Sequence, residues 1–169
     1  ILDDFADDRG VFAERVGAYL EPRAGRGQFY RMLESLYGVM AAPIEPDYGR
    51  ALAYLRRRHR KRALVVVFTD LASGPALASL ATHVGRLARQ SLVLVVTIAD
   101  PDVAAAAVAP PADVAGVYRQ VAAAQTLDER RTLLEALHRQ GVLTLDVPAD
   151  QLSLAVVNRY LEIKARMRL

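Results

Sequence analysis

Cysteine is absent from the 169 residues, which excludes disulfides, thiolate zinc sites and cysteine nucleophiles and leaves the redox compartment open. Histidine is almost absent too. His59, His83 and His138 are scattered along the chain, so any metal would have to be held by oxygen ligands. No apolar run approaches the roughly 20 residues of a bilayer-spanning helix. The longest, around residues 63–69 and 91–99, have the length of strands. Neither a Gly-x-x-x-x-Gly-Lys-Ser/Thr loop nor a Gly-x-Ser-x-Gly elbow occurs, so two common routes to phosphoryl and acyl transfer are missing.

What remains is a globular composition, 53% hydrophobic and 24% charged, at a length suited to one domain. The formal charge of +3 is uneven. Seven cations crowd into residues 50–62: Arg50, Arg56, Arg57, Arg58, Arg60, Lys61 and Arg62. The basic character is therefore local.

Residues 63–69 and 91–98 are continuous β-branched apolar runs, and residues 142–147 are a third of the same kind. Strands of this type are buried on both faces and belong to parallel sheets. Between the first two, residues 75–90 repeat apolar positions at helical spacing, which predicts a β-α-β unit. Two helices are expected upstream, over residues 28–40 and 47–60. The N-terminal 27 residues read as short strands, a hairpin among the options, built on Val11, Phe12, Val16, Tyr19 and Leu20, followed by a loop. Downstream, Pro110 and Pro111 break the chain and a helix resumes over 113–125 with a stripe of Val114, Val117, Tyr118 and Val121. Thr126 and Glu129 match a capping box opening a further helix, which Gly141 ends. A last helix spans about 153–166, striped by Leu154, Val157, Tyr160, Leu161 and Lys164. The fold expected is α/β, a doubly wound, mostly parallel, Rossmann-like sheet flanked by helices.

In such sheets ligands bind beyond the carboxyl ends of the strands. The first strong strand ends at Thr69 and Asp70, the second at Asp100 and Asp102, and the third carries Asp146. Asp also caps helices and starts turns, so each carboxylate has a structural reading beside the functional one. Asp70 stands out. It follows a wholly apolar strand and precedes Ser73 and Gly74, where a functional carboxylate would be presented.

Gly25-Arg26-Gly27-Gln28, Phe68-Thr69-Asp70 and Asn158-Arg159-Tyr160-Leu161 carry a resemblance that extends over nearly the whole chain. The sequence resembles the C-terminal part of a bacterial family of unknown function that carries a von Willebrand factor A-like domain and is commonly encoded beside MoxR-type AAA+ ATPases. The resemblance implies a divalent-cation site made by an Asp-x-Ser-x-Ser motif after the first strand, a Thr in a middle loop and an Asp after the fourth strand. Asp70 matches the last. Pro46 takes the place of the Thr, leaving Asp47 as the nearest oxygen donor, and no Asp-x-Ser-x-Ser occurs in these residues. Residues 1–169 are thus expected to form a single A-like domain, N-terminally incomplete, with its first strand missing. The exposed strand edges would then be covered by a segment ahead of Ile1 or by a second copy.

The functional expectation is a non-catalytic protein-interaction domain whose rim, completed by Mg²⁺ or another divalent cation at Asp70 and Asp47, engages an acidic group on a partner. The resemblance implies a MoxR-type AAA+ ATPase as that partner, and a cytoplasmic protein tethered to a membrane, if at all, by a segment ahead of this chain. Two alternatives compete. One is a metal-dependent phosphate-chemistry enzyme using Asp70. The other is nucleic-acid binding through the basic cluster at 56–62. No base-stacking aromatics interleave with that cluster, and cations at a helix C-terminus have a structural role of their own.

Overall fold

The computed structural model describes residues 2–6, 12–16, 20, 25–37, 47–69 and 75–167. Two compact units are present, residues 1–60 and 61–169. In the first, β1 (Leu2–Ala6) and β2 (Phe12–Val16) pair antiparallel, with Asp4 opposite Glu14. A hairpin is present, but of the residues expected in strands only Phe12 and Val16 lie in one; its other strand is the acidic stretch Leu2–Ala6, Leu20 is in neither, and Val11 and Tyr19 lie outside the described residues. Two helices follow, α1 (Arg26–Tyr37) and α2 (Tyr48–Arg58). Gly25 precedes α1 at φ +98°, a left-handed conformation that explains why glycine opens the Gly-Arg-Gly-Gln stretch. Helix α2 starts on Asp47, whose carboxylate accepts from the Arg50 amide at 2.9 Å. It ends with Arg56, Arg57 and Arg58 at the negative end of its dipole.

The second unit is an α/β sandwich. Its elements are β3 (Leu64–Thr69), α3 (Pro75–Ala88), β4 (Leu92–Ala99), α4 (Pro101–Val108), α5 (Val114–Arg139), β5 (Leu143–Pro148) and α6 (Leu152–Met167). The strands form a parallel sheet in the order β3-β4-β5. Each of the three apolar runs became a strand within a residue of its expected bounds. Among the described residues β3 pairs with β4 alone.

One face of the sheet is covered by α6. Its Leu152, Val156 and Ile163 pack with Leu64, Val66, Leu92, Leu94, Val96, Leu143 and Leu145. The other face lies under α3 and α5, which bury Leu80, Val84, Leu87, Leu133 and Leu137 with Val93 and Val95. Central position shows in burial: Val93 to Val96 of β4 are closed to solvent, whereas the similar β3 sequence is half-buried and its Phe68 is 60% exposed.

Three local expectations are corrected. Val114–Arg139 form one helix, not two. The Thr126 hydroxyl donates to the Ala122 carbonyl at 2.9 Å, and Glu129 accepts from Gln125 at 2.8 Å, so the pair that reads as a capping box sits inside a continuous helix. The preceding Ala122-Ala123-Ala124 run offers no reason to stop. On α6, Leu154, Val157, Tyr160 and Leu161 face solvent, and the stripe that meets the sheet is offset from them. On α5, Val114, Val117, Tyr118 and Val121 are likewise exposed, while Gly116, Gln120, Ala123 and Leu127 are turned inward.

The helix ends follow sequence rules. Asp100 caps α4 with Pro101 in its first turn, and Asp113 caps α5 through the Gly116 amide at 2.6 Å. At the far end the Gly141 amide bonds His138 O at 2.9 Å and the Val142 amide bonds Leu137 O at 3.1 Å, with Gly141 at φ +78°. This is a Schellman close, as Gly141 foretold. No helix among the described residues is long and apolar enough to cross a membrane.

Candidate functional site

The parallel register sets the three strand ends side by side. Thr69 lies beside Thr97, and Thr97 beside Asp146. Lateral neighbours share a sheet face, so these residues form one polar row under α5 near the carboxyl edge. Thr97 is fully buried and donates to Asp146 Oδ1 at 2.7 Å. From α5, Arg130 closes the row: its Nε donates to Asp146 Oδ2 at 3.2 Å and its Nη2 to Oδ1. The guanidinium is nearly enclosed, with the Arg130 side chain 11% exposed.

Burial alone would push the Asp146 carboxyl up. Hydrogen bonds from Arg130 and Thr97, together with the Arg130 charge, outweigh it and hold the group below the ordinary carboxylate range. Both carboxylate oxygens are thus engaged. A carboxylate fixed in this way is a weak base and a poor nucleophile, so the row acts as a clamp between α5, β4 and β5.

The other acidic residues expected as ligands have local roles where they are described. Asp100 accepts from the Asp102 amide at 2.9 Å and caps α4, while Asp102 is exposed in the first turn of that helix. Asp47 belongs to the first unit and caps α2. Asp70, Ser73, Gly74 and Pro46 lie outside the described residues. Among the described residues no three His, Asp or Glu side chains converge as a metal cluster. The cations Arg56, Arg57, Arg58, Arg60, Lys61 and Arg62 are all exposed.

Sequence reasoning missed Thr97 and Arg130. A signal for Arg130 was present: it precedes Leu133 and Leu137 on the same inward stripe, a position where a cation needs a buried partner. Thr97 gave less, being the one polar residue in an apolar strand.

The fold and its carboxyl edge define an α/β protein of the doubly wound class. Residues 8–114 match the family described as Protein of unknown function DUF58. This is more than half of the chain, and the chain belongs to that family. No curated protein and no solved structure matches it.

Proposed function

We propose that this chain is a von Willebrand factor A-like protein-interaction domain that catalyses no reaction and works with a MoxR-type AAA+ ATPase in assembling or activating other proteins. The observation that carries the reading is the apolar character of the carboxyl edge. Phe68 and Ile98 near the strand ends, Val114, Val117, Tyr118 and Val121 on α5, and Leu154 and Val157 on α6 are all exposed. Single exposed hydrophobics are ordinary, but a stripe such as Val114, Val117, Tyr118 and Val121 on α5, or the α6 stripe that continues through Tyr160 and Leu161, is what partner proteins cover. A divalent cation such as Mg²⁺ at Asp70 supplies the polar half of the contact, since a hard cation with an open position accepts a partner carboxylate.

Co-sedimentation with a MoxR-type AAA+ ATPase tests this. Binding in Mg²⁺ that falls at least tenfold in EDTA and in Val117→Asp/Tyr118→Asp supports the reading. Binding indifferent to both overturns it. Phosphomonoester turnover lost in Asp70→Ala would replace it with the enzyme reading.

The exposed cations at 56–62 favour nucleic acid as the second reading. Salt-sensitive DNA binding abolished by changing Arg56, Arg57 and Arg58 to Glu would support that instead.

A further inference from the structure

The two outer edges of the β3-β4-β5 sheet are built differently. The β5 edge ends at Pro148 and carries the charge of Asp146, both features that discourage a further strand. The β3 edge has neither. Leu64–Thr69 holds no charge and no proline, pairs with β4 through all six residues without a bulge, and meets no other strand among the described residues. Val65 and Val67 are half-buried where Val93 and Val95 of β4 are closed to solvent, and Phe68 is exposed.

Backbone direction fixes what this edge offers. The Leu92 amide donates to Ala63 O at 3.0 Å, so by the alternation of the ladder Ala63, Val65, Val67 and Thr69 turn their backbone groups toward β4. Leu64, Val66 and Phe68 turn theirs outward. A row of amides and carbonyls thus lines the free side of a strand whose sequence suits the middle of a sheet.

The strand is complementary to itself. A second copy laid antiparallel about a two-fold axis at Val66 sets Val66 opposite Val66 and Leu64 opposite Phe68 on the face that α6 covers, with Val65 opposite Val67 on the other. Every outward residue then meets an outward residue, and each such pair exchanges both of its hydrogen bonds. A shift by one residue sets side chains on opposite faces. A shift by two leaves one outward residue of each copy beyond the end of the other strand. Charge selects the antiparallel direction. Arg60, Lys61 and Arg62 lead into β3 and are exposed, and a parallel pair would set the two clusters side by side. About Val66 they lie at opposite ends, with the two Arg62 positions about 27 Å apart along the strands, beyond the roughly 10 Å reach of charges at 0.1 M salt.

We propose that two copies of this chain join through β3 into one six-stranded sheet, of order β5-β4-β3-β3-β4-β5, with the two-fold axis at Val66. The carboxyl ends of the two copies' strands then point opposite ways, so the dimer presents one polar row of Thr97, Asp146 and Arg130 at each end.

Light scattering coupled to size exclusion, over a dilution series, tests this on the wild type and on Phe68→Lys, which places a charge at an exposed position of the edge. Expected are a wild-type mass of two chains and a dissociation constant at least tenfold weaker in the variant, with unchanged circular dichroism. Hydrogen exchange reads the register: the Leu64, Val66 and Phe68 amides should exchange at least tenfold faster in Phe68→Lys than in the wild-type dimer. The cysteine-free chain permits a check that leaves β3 intact. Spin labels on Arg62→Cys should lie about 27 Å apart in the dimer. A wild-type monomer, a dimer equally tight in Phe68→Lys, or labels more than twice that distance apart overturns the proposal. A monomer whose outward amides are protected assigns the edge to another segment of the chain and overturns it as well.

Discussion

Arg130 grips Asp146 through two guanidinium nitrogens, joining the middle of α5 to the carboxyl-end half of β5. Asp146 stands out in the sequence as a strand-end carboxylate, and its contact with Arg130 holds the second unit together at the carboxyl edge. Thr97, from the central strand, completes the contact at 2.7 Å. Three elements therefore meet at one carboxylate.

Removing one partner should cost more than removing both. Arg130→Met leaves Asp146 partly buried without its cation, and we expect a loss of about 2 kcal/mol, under the roughly 3–5 kcal/mol of fully enclosed pairs because solvent reaches Asp146. The double variant Arg130→Met/Asp146→Leu should recover part of the loss. Urea unfolding of the three proteins measures the difference, and a single variant as stable as wild type would remove the clamp from the account.

Acid should loosen the same contact. The folded Asp146 carboxyl lies below its unfolded value of about 3.9, so its contribution is complete above that pH and is lost as the pH falls through the lower folded value. Wild-type stability is expected to drop more steeply below about pH 4 than that of Asp146→Asn. Parallel curves for the two proteins would contradict the assignment.

Thr126 separates two descriptions of Val114–Arg139. As the cap of a second helix its replacement by Ala would cost about 1 kcal/mol. Inside a continuous helix, Thr126→Ala should instead be neutral or stabilise by up to about 0.5 kcal/mol, because Ala is the better helix former. Thermal unfolding followed by circular dichroism distinguishes the two signs.

Gly85 in α3 lies close to the end of α5. A Cβ there would fall 1.6 Å from Gln140 Oε1, an overlap no structure tolerates, but the atoms it meets all belong to one exposed, flexible side chain. Gln140 can turn away. Gly85→Ala should therefore be neutral or stabilising, by up to about 1 kcal/mol from helix propensity. A loss above that size in urea unfolding would mean Gln140 is held in place.

The sequence made the sheet legible because its strands are buried on both faces and carry little but β-branched residues, a pattern no surface element shows. Gly141 and Pro101 marked helix ends for steric reasons that tertiary contacts seldom override. The inward faces of α5 and α6 were harder. Each helix has two apolar or small stripes, and period alone does not say whether Leu154 and Val157 or Val156 and Ile163 meet the sheet. Of the site, the acidic strand ends were visible and their partners were not, since Arg130 and Thr97 acquire meaning only once the register sets Thr97 beside Asp146.

Calorimetric titration of Mg²⁺ and Mn²⁺ into the intact protein and its Asp70→Ala variant bears most directly on the proposed carboxyl-edge site. Saturable heat in the wild type that disappears in Asp70→Ala is the predicted result. Equal, negligible heats in both proteins would contradict it.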